Sequence, residues 1–129
     1  MTSNYKFNAP VHIADCDSYD IEKIYSIFSE AFASLGITKD LIMGKKICLK
    51  PNLVLAKKPE FAATTHPSFV IALVRILKEM EAGDIVLADS PGGPFNAASL
   101  NNVYKVCEMT SAVSDDLHLN DDFTFKDAV

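Results

Sequence analysis

The chain is predicted to be an α/β domain, a doubly wound, Rossmann-like three-layer sandwich with helices on both faces of a small, mostly parallel sheet of about four strands. Three observations predict this. Short apolar runs bounded by turn residues read as strands buried on both faces. Between them lie segments whose apolar residues recur at intervals of three and four, so strand and helix alternate. Finally, 129 residues with 49% apolar content supply one core and not two. Residues 11–129 therefore read as a single domain, open to being incomplete at its C-terminal end, behind a tail at residues 1–10.

The first strand is expected at Val11-His12-Ile13-Ala14, ending in Asp15-Cys16-Asp17-Ser18. Over residues 20–35 the positions Ile21, Ile24, Tyr25, Phe28, Ala31, Phe32 and Leu35 share one helical face. Ser18 or Asp17 is the expected cap, and Gly36 the stop. A short amphipathic turn through Leu41 and Met43 leads to a second strand, Lys46-Ile47-Cys48-Leu49-Lys50, halted by Pro51. About fifteen residues separate Pro51 from His66. That is longer than the roughly two to six usual between strand and helix, and such length often accompanies function.

The next helix is expected to start near Thr65-His66-Pro67, where a hydroxyl cap and an early proline favour initiation. Its apolar face is Phe69, Val70, Leu73, Ile76, Leu77 and Met80, and Gly83 is read as its stop. Ile85-Val86-Leu87-Ala88 forms the third strand and runs into Asp89-Ser90-Pro91-Gly92-Gly93. A last helix from about Ala97 uses Leu100, Val103, Tyr104 and Cys107, and the acidic residues 115–129 have weak strand character.

In parallel sheets of this kind ligands bind beyond the carboxyl ends of the strands. Those ends gather Asp15 and Asp17, Lys50 and Asn52, and residues 89–93. Proline closes the third strand, and Gly92-Gly93 lets backbone amides approach a bound anion, together with free N–H groups of the following helical turn. The plainer alternative is a tight connection that binds nothing. Lys50 offers an ammonium to a phosphate or carboxylate; its structural alternative is a salt bridge to Asp89. Asn52 either orients the same ligand or satisfies a turn. Ser90 is a turn serine rather than a nucleophile, for the Gly-x-Ser-x-Gly elbow is missing.

Thr64, Thr65 and His66 sit where the long loop enters a helix, and His66 either meets a ligand as a neutral imidazole or serves only helix entry. His12 and His118 carry less weight. Asp89 with Asp15 or Asp17 is a weak Mg²⁺ candidate, against carboxylates that merely cap helices. Neither a nucleotide phosphate loop nor a dinucleotide fingerprint is present.

A net charge of −5 and a pI near 5.0 argue against nucleic acid, which needs a concentrated basic surface. No apolar run approaches the roughly 20 residues that span a bilayer, and residues 1–8 lack a charged segment followed by an apolar core. A cytoplasmic location without membrane contact is the expectation. Cys16, Cys48 and Cys107 are too far apart for a zinc or iron–sulfur motif and fit reduced thiols. Cys48 and Cys107 fall in core patterns, and Cys16 reads as an inert, partly buried thiol.

Three blocks, Lys50-Pro51-Asn52-Leu53-Val54, Ala62-Ala63-Thr64-Thr65-His66-Pro67 and Ala88-Asp89-Ser90-Pro91-Gly92-Gly93, resemble in order and spacing a prokaryotic family known as domain of unknown function 362. The resemblance runs from about Val11 to Phe125, and this chain looks like the N-terminal part of that longer domain. It implies association with ferredoxin-like modules that hold four-iron clusters, in a fused or partner chain, since no such cysteine cluster stands here. It implies no catalytic residues. The expected function is binding of a small anionic molecule at the carboxyl edge by Lys50 and the Gly92-Gly93 amides, ancillary to iron–sulfur redox proteins. The alternative is a scaffold domain completed by a partner chain or by a homodimer, and whether the chain is an enzyme stays open.

Overall fold

A computed structural model describes residues 9–93 and 96–120. Among them helices pack on a three-stranded parallel sheet with strand order β1-β2-β3, where β1 is Ile47–Leu49, β2 Ile85–Leu87 and β3 His118–Leu119. Ile47, Cys48 and Leu49 lie beside Ile85, Val86 and Leu87, and Val86 and Leu87 lie beside His118 and Leu119. Because side chains alternate across a strand, Ile47, Leu49, Ile85, Leu87 and Leu119 share the core face. On the opposite face Cys48 and His118 are exposed and Val86 is half-buried. The covering there is partial, where helices on both faces were expected.

Helix α1 spans Ile21–Leu35, and Asp20 caps it by accepting the Lys23 amide at 2.9 Å. Neither Ser18 nor Asp17 takes that place; Asp17 pairs instead with the Lys23 side chain. Gly36, at φ 71°, ends the helix as expected, and a four-residue helix α2, Lys39–Ile42, leads to β1. Helix α3 spans Pro67–Glu79 and packs against α1. It stops before Gly83: the chain turns at Glu81, whose φ is 59°. Gly83 is required for a different reason, since a Cβ there would stand 3.1 Å from the carbonyl oxygens of Gly44 and Lys45. Helix α4, Ala97–Val106, then leads through a 3-10 turn at Met109–Ala112 to β3.

Residues 11–14 do not form the anticipated strand. β1 pairs with β2 alone, and the segment lies along α1, with His12 Nδ1 3.0 Å from Ser34 Oγ. Val11 and Ile13 are 80% and 88% exposed, so the short apolar run that suggested a strand here faces solvent. Among the described residues the sheet accordingly has three strands, where about four were expected. The core gathers Leu53, Val70, Val74, Leu77, Ile85, Leu87, Tyr104, Met109 and Leu117. Cys107 belongs to it, but Cys48 is exposed on the edge strand, against its core pattern, and Cys16 is exposed as well. No described helix is long and apolar enough to cross a membrane.

Candidate functional site

At the carboxyl ends of β1 and β2 the two following loops are laced together. Asp89 is the fastening. Its side chain is 4% exposed, and its carboxylate accepts from Lys50 Nζ at 2.7 Å and from the Leu53 amide at 2.8 Å. Burial alone would push this carboxyl up. The hydrogen bonds from Lys50, Leu53 and the Ser90 amide, with the attraction of the Lys50 charge, outweigh it and hold Asp89 below the usual carboxylate range. Lys50 therefore does make the salt bridge that was its structural alternative. Its side chain is nonetheless 70% exposed. Among the described residues its one further contact beyond Asp89 is a long one of 3.5 Å to the Pro51 carbonyl, so an ammonium with three donors keeps one for a ligand.

The long loop is closed at its base by Asn52 and Thr65. The Thr65 amide donates to the Asn52 carbonyl at 3.0 Å, and the Asn52 amide donates to Thr65 Oγ1 at 2.9 Å. Leu53, fully buried, anchors the loop in the core. Asn52 thus serves the turn through its backbone. Thr64 Oγ1 is buried with no hydrogen-bond partner among the described residues.

His66, not a threonine hydroxyl, caps α3: its Nδ1 accepts the Ser68 amide at 3.2 Å. The neutral ring therefore carries its proton on Nε2. Burial holds the His66 pKa below its ordinary value, against the attraction of Glu108. The ring stacks on Tyr19 at 3.8 Å between centroids, 11° from parallel, which brings the segment before α1 to the start of α3.

The glycine turn departs from expectation. The Gly92 amide is already spent on the Val54 carbonyl at 3.3 Å, so the pair does not present two free amides. Gly93, at φ 113°, is exposed. Asn96 caps α4 through the Ser99 amide, and Pro94 and Phe95 lie outside the described residues. Ser90 is exposed, its amide committed to Asp89.

The metal candidates are not gathered into a site. Asp17 is tied to Lys23, Asp89 is engaged by Lys50 and Leu53, and Asp15 is exposed. Among the described residues no group of three His, Cys, Asp or Glu side chains is placed to hold a metal. The thiols do not fit an iron–sulfur cluster either: Cys107 is buried with its Sγ 3.5 Å from the Leu55 carbonyl, while Cys16 and Cys48 are exposed on separate segments.

Sequence reasoning missed a cavity of about 300 Å³ beside this edge. It is lined by Phe28 of α1, Phe69, Val70 and Leu73 of α3, and Lys50, Pro51 and Thr65 of the loop, with Cys48 and Leu49 of β1. Helical spacing places Phe28, Phe69 and Leu73 on inward faces. It does not distinguish a filled core from a hollow beside an edge strand.

The family model for a domain of unknown function, DUF362, matches residues 47–128. The matched stretch holds all three sequence blocks and leaves out residues 11–46, to which the resemblance was read as extending. Neither the comparison with curated proteins nor that with solved structures gives a match.

Proposed function

We propose, for a chain that belongs to the DUF362 family, that the carboxyl edge of its sheet binds a small anionic molecule, with Lys50 as the principal contact. The observation that carries this is Lys50 itself. Its head group is held by a buried carboxylate, its side chain is largely solvent-exposed, and the residue lines a cavity that no acidic side chain among the described residues lines. Asp89 acts as a positioning residue: it fixes the ammonium and carries its own charge inward, where backbone amides satisfy it. Thr65, which carries a hydroxyl, lines the same cavity. Gly93 contributes an exposed turn, without the two-amide cradle.

The test is binding of acetate and of inorganic phosphate, followed by thermal shift and by isothermal titration, since a ligand of the folded state raises the melting temperature. Lys50→Met should abolish binding while the variant still melts cooperatively, and Lys50→Arg should retain most of it. Unchanged affinity in Lys50→Met removes Lys50 from the site.

A separate observation favours a second reading. The second sheet face leaves Cys48 and His118 exposed, and among the described residues β1 has a partner strand on one side only. A surface of this kind suits an interaction domain completed by another chain. Sedimentation equilibrium showing a monomer at all accessible concentrations would count against completion by a second copy.

A further inference from the structure

We propose that the anion taken at Lys50 is a carboxylate carried on a ring-sized apolar body, and that this body occupies the cavity between β1 and helices α1 and α3. The proposal rests on the anion reading of the same edge and adds the class of ligand.

The cavity exists for a structural reason. β1 is an edge strand, and α1 and α3 reach past it. Phe28 on α1 and Phe69 on α3 meet edge to face, 6.0 Å between centroids and 75° apart. Phe69 is held on another side by Tyr19, again edge to face, at 6.2 Å and 77°. Fixed in this way, the two rings are only half-buried, and neither turns to fill the space beside the strand. A hollow of about 300 Å³ results, at the lower end of the roughly 300–1,000 Å³ typical of small-molecule pockets.

Its lining divides sharply. Phe28, Phe69, Val70 and Leu73 line it with apolar surface, and Lys50 and Thr65 are the lining residues that carry a side-chain N–H or O–H donor. A small inorganic anion uses the donors and leaves the rings uncovered. A neutral hydrocarbon covers the rings and leaves the Lys50 donor unused. A carboxylate on a ring-sized body uses both, and burying its ring supplies affinity that acetate lacks.

The experiment titrates the full chain with 3-phenylpropionate, acetate and 3-phenylpropan-1-ol, following backbone amide shifts by NMR. The proposal predicts that 3-phenylpropionate binds at least about tenfold more tightly than acetate and than the alcohol. Leu73→Trp, a larger side chain at a half-buried position of α3 that lines the cavity, should erase that advantage and leave acetate binding intact. Leu73→Met should keep it. If Leu73→Trp does not melt cooperatively, Phe28→Trp on α1 makes the same comparison. Equal affinity for acetate and 3-phenylpropionate overturns the proposal and spares the anion reading. Equal affinity for the alcohol and the acid overturns it by removing the carboxylate, and binding of none of the three overturns both.

Discussion

Replacing Asp89 tests whether the two loops are fastened as described. Asp89→Ala leaves the Leu53 amide without a partner beside a side chain that is fully buried, and an orphaned donor of this kind costs about 1–3 kcal/mol. The ion pair adds less. Lys50 is 70% exposed, so solvent screening reduces its share to about 0.2–1 kcal/mol. The expected loss is therefore about 1.2–4 kcal/mol, a large part of the roughly 5–15 kcal/mol that holds a domain folded. Asp89→Asn keeps an oxygen for the Leu53 amide and gives up the charge, so about 1 kcal/mol is expected. Urea denaturation at neutral pH measures both, and a slope of about 1–3 kcal/mol per molar turns the alanine loss into a midpoint shift on the order of 1 M. Because the folded carboxyl lies below its ordinary value of 3.8, its contribution is full above that pH and is lost as pH falls toward the folded value. Equal losses in alanine and asparagine, or an alanine loss under about 0.5 kcal/mol, would refute the fastening.

His66 has a lowered pKa, so the unfolded chain takes up its proton first, near 6.5, and stability should fall as pH drops below that value. His66→Asn, which still caps α3, should show a flatter urea midpoint between pH 7.5 and 5.5; an identical pH dependence would remove His66 as its source. Gly83→Ala drives a Cβ to 3.1 Å from two backbone carbonyls and should cost about 1–3 kcal/mol in the same assay. Thr65→Val removes the acceptor of the Asn52 amide and should cost about 0.5–1.5 kcal/mol. It should also speed proteolytic cleavage within residues 53–64, and an unchanged cleavage rate would mean the base of the loop is held elsewhere.

The alternating pattern was legible because periodicity reports burial, and burial made α1, α3, β1 and β2 what they are. Residues 11–14 misled because a short apolar run marks a candidate strand, but only hydrogen bonding to a neighbour makes one, and β1 pairs with β2. The stop at Gly83 was misplaced because glycine also marks close backbone approach, which one sequence does not separate from a helix end. Among the candidate site residues, Lys50 is tied to Asp89 and Asn52 to Thr65 because these lie at strand ends or at the base of the loop between them, whereas His66 caps α3 and stacks on Tyr19. Their partners were less legible. A glycine pair does not reveal that Gly92 is already bonded to Val54, and a Thr-Thr-His run does not reveal which member caps. The cavity left no trace, because half-buried and buried phenylalanines share one helical spacing.

The proposed anion site at Lys50 is tested most directly by an amide-resolved NMR titration of the unmodified chain with acetate. The account predicts saturable shifts concentrated on Lys50, Leu53, Thr65 and Gly93, absent in Lys50→Met. Shifts that do not saturate, or that cluster away from the ends of β1 and β2, would contradict it.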